Sequence, residues 1–118
     1  MLWHKNILFI NGGFNSFEQY SFQSQARSLH KNYSGKPPSA MNSIFVNRTS
    51  QSIGIDYSHR DEIIQIINNG TLLINSMGHG ALNRYDIDYG EPQDLDNEGK
   101  YPFMIGMSCN TGGFADPF

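Results

Sequence analysis

Cysteine is nearly absent from this chain: Cys109 is the only one in 118 residues. A single thiol cannot form an intrachain disulfide, so cysteine usage leaves the redox compartment open. Charge is sparse too, at 16% of residues with a net of −3, and there is no basic run. That argues against a phosphate-binding surface, and nucleic acid is not an expected partner. No apolar stretch approaches the roughly 20 residues that span a bilayer. The run Ile7 to Ile10 that follows Met1-Leu2-Trp3-His4-Lys5 is too short for a secretory signal. No internal repeat or low-complexity segment interrupts the chain. The turn Asn11-Gly12-Gly13 lacks a Gly-x-Gly-x-x-Gly pattern, which argues against a nucleotide loop. His4, His30 and His59 are scattered, whereas zinc needs three or four closely spaced ligands.

What is present reads as one α/β domain over residues 1–118. Strands are predicted at Lys5–Ile10, Ser43–Asn47, Thr71–Ser76 and Tyr101–Met107, each from a short apolar run. A helix is predicted from a Ser16/Gln19 capping box to about His30, with Phe17, Tyr20, Phe22, Ala26 and Leu29 inward. A second is predicted from a Ser58 cap to Asn69, with Ile63, Ile64, Ile66 and Ile67 on one face and Gly70 as the stop. Ser34–Ser39, Thr49–Tyr57 and the acidic stretch Gly80–Lys100 are expected as loops. Trp3, Phe9 and the isoleucines are expected in the core. The order implies a mostly parallel sheet of about four strands flanked by helices. The chain stops nine residues after Cys109 with no closing helix, so a truncated domain is expected.

Two motifs stand at the carboxyl ends of predicted strands, Met77-Gly78-His79-Gly80 and Met107-Ser108-Cys109-Asn110. In parallel sheets ligands bind at that edge. A cysteine attacks as a thiolate, and a nearby imidazole can take its proton or protonate the leaving amine. The oxyanion formed needs donors, and the N–H groups of Gly80 and Cys109 are the candidates. Gly112-Gly113 leaves room for a peptide, and Asn11 and Gly12 face the same edge. Taken alone, Cys109 reads as a small buried hydrophobe and His79 as a turn residue. The pairing favours catalysis.

Asn69 to Pro117 resembles the catalytic half of gingipain-type cysteine peptidases, of the caspase-like clan. The resemblance rests on Leu72-Leu73-Ile74-Asn75-Ser76-Met77-Gly78-His79-Gly80 and on Lys100-Tyr101-Pro102-Phe103-Met104-Ile105-Gly106-Met107-Ser108-Cys109. Gly112-Gly113-Phe114-Ala115-Asp116-Pro117 is similar to the sortase-like branch of type IX secretion. The first 68 residues match only as a generic β-α-β-α arrangement. The resemblance implies a caspase-like three-layer sandwich and a cysteine endopeptidase using a thioester acyl-enzyme. Cys109 would be its nucleophile, His79 its acid/base, and the N–H groups of Gly80 and Cys109 its oxyanion hole. Ala81, Tyr85, Asn110 and Gly112 are candidate substrate contacts beside this pair, and Asn11 and Gly12 are candidates from their place at the same sheet edge. Ala81 and Tyr85 stand where the family often has Ser and Trp.

The resemblance also implies a polypeptide substrate, export to the bacterial surface or beyond, and no cofactor beyond a structural calcium ion, for which Asp86 and Asp88 are candidates. The bland expectation for the acidic stretch of Asp86, Asp88, Glu91, Asp94, Asp96 and Glu98 is a solvated loop. The rest of a longer protein, or a dimer mate, is expected to cover the sheet. Two other readings stay open: a non-catalytic caspase-like binding or structural module, and a flavodoxin-like binding domain.

Overall fold

The apolar runs do become strands. A computed structural model describes residues 2–81 and 84–109. Strand β1 is Asn6–Asn11, β2 is Asn42–Asn47 and β3 is Leu73–Met77. After a two-residue hairpin, β4 (Gly80–Ala81) with β5 (Arg84–Tyr85), comes β6, Phe103–Met107. The order β2-β1-β3-β6 forms one sheet, parallel throughout. Helix α1, Ser16–Leu29, and helix α2, Arg60–Asn69, flank it, giving three layers.

Alternation along each strand assigns the faces. Ile7 and Phe9 of β1 pack with Ala26 and Leu29 of α1 and with Phe45 of β2. Leu8 and Ile10 turn the other way, onto Val46, Ile74, and Ile63 and Ile67 of α2. Buried on both faces, β1 shows no polar residue between its ends, as central parallel strands do.

Several local expectations are corrected. The cap of α1 is Asn15, whose side chain accepts the Glu18 N–H, rather than Ser16. The register of the helix shifts by one, and Gln19 is buried, donating to the Gly13 and Ser50 carbonyls. Phe17 and Tyr20 are exposed. At about 100° per residue, Phe17 lies opposite Ala26, so the two cannot share an inward face. Ser58 does not cap α2; its N–H and hydroxyl both donate to Asp56, and the capping position passes to His59. Gly70 ends α2 as expected, at φ +109°. Ile53 and Ile105 are exposed and Trp3 is half-buried, rather than in the core.

Part of the acidic stretch packs against the sheet, while Glu91, Asp94, Asp96 and Glu98 are exposed as expected of a solvated loop. Ile87 is buried with the α2-side core, and Tyr89 and Leu95 pack on that core. The backbone at Ile87 bridges Asp56. Ser76 and Tyr89 share a hydrogen bond between hydroxyls, and burial pushes the Tyr89 phenol well above its ordinary range. Among the described residues, no helix is long and apolar enough to cross a membrane.

Candidate active site

β3 and β6 are parallel neighbours, with Met77 opposite Met107. His79 and Cys109 each lie two residues beyond this pair. Both therefore leave the sheet at the same edge, from strands about 4.8 Å apart. The Gly78 N–H reaches the Met107 carbonyl at 3.4 Å, carrying the pairing past the strand ends. Cys109 is exposed and in no disulfide.

Three contacts fix His79. Its Nε2 lies 2.9 Å from the Glu18 carboxylate. Its ring stacks on Phe14, with centroids 4.0 Å apart and planes 1° from parallel. Its backbone N–H donates to Asp86 Oδ2 at 3.1 Å. With Nε2–H directed at a carboxylate, Nδ1 is the nitrogen left to exchange a proton. Glu18 is held in turn by the Phe14 N–H at 2.7 Å. That backbone bond first, and the His79 ring second, keep its carboxyl below the ordinary carboxylate value.

A buried frame lies beneath. Asp86 Oδ2 also accepts the Gly13 N–H at 2.7 Å, tying the end of β1 to the end of β3. Its carboxylate occupies the space where a Cβ on Gly12 or Gly78 would stand. Arg48 is fully buried and donates to the carbonyls of Ser50, Ser52, Gly54 and Asp86. Its guanidinium lies 5.3 Å from the Phe14 ring centroid. Arg48 thus joins the segment after β2 to the ring that supports His79.

The other expected site residues are placed as follows. Gly80 and Ala81 form β4, pairing with Tyr85 and Arg84. Tyr85 stacks on Tyr89 at 4.6 Å. A cleft of about 310 Å³ opens beside His79, with Phe14, Tyr57, Gly80, Ala81 and Tyr85 in its wall. Asn11 and Gly12 reach the expected edge but are buried rather than lining the cleft. Asn11 donates to the Asn47 side chain, and the Gly12 N–H continues the ladder to Met77. Asn110 and Gly112 lie outside the described residues.

The candidate calcium ligands have other partners, which corrects the solvated-loop expectation for both. Asp86 is buried on backbone N–H groups. Asp88 accepts the Gly90 N–H and pairs with Arg60 at 3.2 Å. Among the described residues, no group of three or more His, Cys, Asp or Glu side chains is placed to hold a metal ion.

Sequence reasoning missed Glu18, Phe14 and Arg48. The pattern Asn15-x-x-Glu18 was a usable signal, since it matches a helix start as well as Ser16-x-x-Gln19 does. A buried arginine bonded to carbonyls has no local signature.

Among known families, a sequence model described as peptidase family C25 matches residues 1–118. It reaches well beyond the Asn69–Pro117 stretch on which the resemblance first rested. No curated protein and no solved structure matches the chain.

Proposed function

The chain belongs to peptidase family C25, the gingipain family of cysteine peptidases, and from that premise we propose that Cys109 and His79 form its catalytic pair. The observation that carries this reading is the matched overhang of the two residues beyond in-register neighbouring strands, with the Glu18 carboxylate on the imidazole Nε2.

The reaction proposed is endopeptidase hydrolysis of a polypeptide. His79 Nδ1 takes the thiol proton and the Cys109 sulfur attacks the scissile carbonyl. The N–H groups of Gly80 and Cys109 meet the oxyanion. As the C–N bond breaks, His79 returns the proton to the leaving amine, and a thioester remains. Water, deprotonated by His79, hydrolyses the thioester, releasing the carboxylate product and the thiol. Glu18 is a positioning residue that sets the tautomer and angle of the imidazole. Asn110 and Gly112 remain candidate substrate contacts, as do Ala81 and Tyr85. Export to the cell surface or beyond fits the family. A structural calcium ion would need ligands other than the committed carboxylate of Asp86.

Phe103, Ile105 and Met107 project from one face of β6 and are exposed. This favours cover by the rest of a longer protein or by a second copy. It also supports the second reading, a non-catalytic module that packs against a larger assembly.

Turnover of an internally quenched peptide panel, with Arg, Lys, Asp or Leu before the scissile bond, tests the proposal. Hydrolysis abolished by Cys109→Ala is the expected result. Hydrolysis that survives Cys109→Ala would place the chemistry elsewhere, and no hydrolysis would favour the packing module.

A further inference from the structure

The 310 Å³ cleft beside His79 is walled by groups from three strand ends. Phe14 follows β1, Tyr57 follows β2, and the β4–β5 hairpin with Tyr85 follows β3. Cys109 follows β6, on the other side of β3 in strand order. In strand order, the end of β3 with His79 therefore lies between the β1 and β2 segments that wall the cleft and the end of β6 that carries the thiol.

The direction of the proposed chemistry then gives the cleft a role. The acyl half of a substrate stays on Cys109, and the amine half takes a proton from His79. The amine half must leave on the histidine side, where the cleft lies. Three of its lining side chains, Phe14, Tyr57 and Tyr85, are aromatic, and Phe14 stacks on the His79 ring with the Arg48 guanidinium 5.3 Å from its centroid. Tyr85 is stacked on Tyr89. Tyr57 is 62% exposed at the rim, an uncovered ring facing open space. A second cleft of about 430 Å³ shares Ile55, Tyr57, Arg84 and Tyr85 with the first and runs on toward Arg60 and Glu91. The two clefts share a wall, and the second does not include His79. Aromatic rings in the wall suit an aromatic side chain, which can pack edge-to-face or offset against them.

We propose that this cleft is the subsite for the first residue after the scissile bond, and that Tyr57 and Tyr85 select an aromatic side chain there. The proposal rests on the peptidase reading above and deepens it. The second cleft would receive the residues that follow.

The test separates the two claims. Backbone amide shifts of the Cys109→Ala chain are followed while tripeptide amides with a free amino terminus are titrated in, beginning with Phe, Gly or Glu. These mimic the leaving half and bind without chemistry. The expected result is binding about tenfold tighter for Phe than for Gly, with shifts centred on Gly54 and Ala81. That preference should vanish in the Tyr57→Ala version, a change at an exposed side chain that leaves the core intact. Equal affinities, shifts centred elsewhere, or a preference that survives Tyr57→Ala would overturn the subsite. Failure of the peptidase reading looks different: the aromatic preference persists while wild-type Cys109 is not acylated by peptidyl electrophiles.

Discussion

At His79, a carboxylate, an aromatic ring and a buried aspartate hold one imidazole in place. Glu18→Gln keeps the shape but loses the anion that fixes the Nε2–H tautomer. The expected effect is a fall in Cys109 acylation rate on the order of 10²-fold, in keeping with acid–base catalysis, measured by stopped labelling at fixed probe concentration. The same change has a sign in stability. The Glu18 carboxyl is depressed below its ordinary 4.5, first by the Phe14 N–H and then by His79. Its contribution is therefore full above that ordinary value and is lost as pH falls through the lower folded one. Urea midpoints measured from pH 6 down to pH 3 should fall less steeply in Glu18→Gln than in wild type. Gly12→Ala addresses the buried frame, because its Cβ would meet the Asp86 carboxylate. Overpacking of about 1–3 kcal/mol is expected, read as a lowered urea midpoint with unchanged slope. The placement of His79 and Cys109 at strand ends was legible in the sequence because each punctuates an apolar run. Asp86 was not: a charge within an acidic stretch looks solvated, and nothing local shows that Gly13 and His79 will aim N–H groups at it.

Each strand expected from an apolar run exists, with ends shifted by one or two residues. The helices show where periodicity fails. In α1 the aromatic residues looked like the inward stripe, but the buried positions are Gln19 and Ala26. Gln19 could be buried because its amide meets two carbonyls, a compensation that hydropathy does not register. In α2 the isoleucine stripe was a sound guide, with Ile63 and Ile67 buried. Ile63→Ala should therefore destabilise by about 2–5 kcal/mol, whereas Phe17→Ala should stay within about 0.5 kcal/mol. Chemical denaturation of the two variants side by side checks the assignment; equal losses would contradict it. The hairpin β4–β5 was unreadable because two-residue strands carry no period.

At the scale of the whole molecule, topology places the two motifs. A parallel sheet was legible from alternating strands and helices, but the order β2-β1-β3-β6 depends on long-range pairing that no short window encodes. That order makes β3 and β6 neighbours, and so brings the two motif ends together. It also leaves the apolar face of β6 exposed, in keeping with a partner layer. The most direct test of the account is the intact mass of the chain after incubation with peptidyl acyloxymethyl ketones, in wild type and His79→Ala. The account predicts a single adduct on Cys109 in wild type, selective among probes and strongly reduced without His79. Equal labelling of both proteins would reduce Cys109 to an exposed thiol. An unlabelled wild type whose thiol reacts freely under denaturant would contradict a working site.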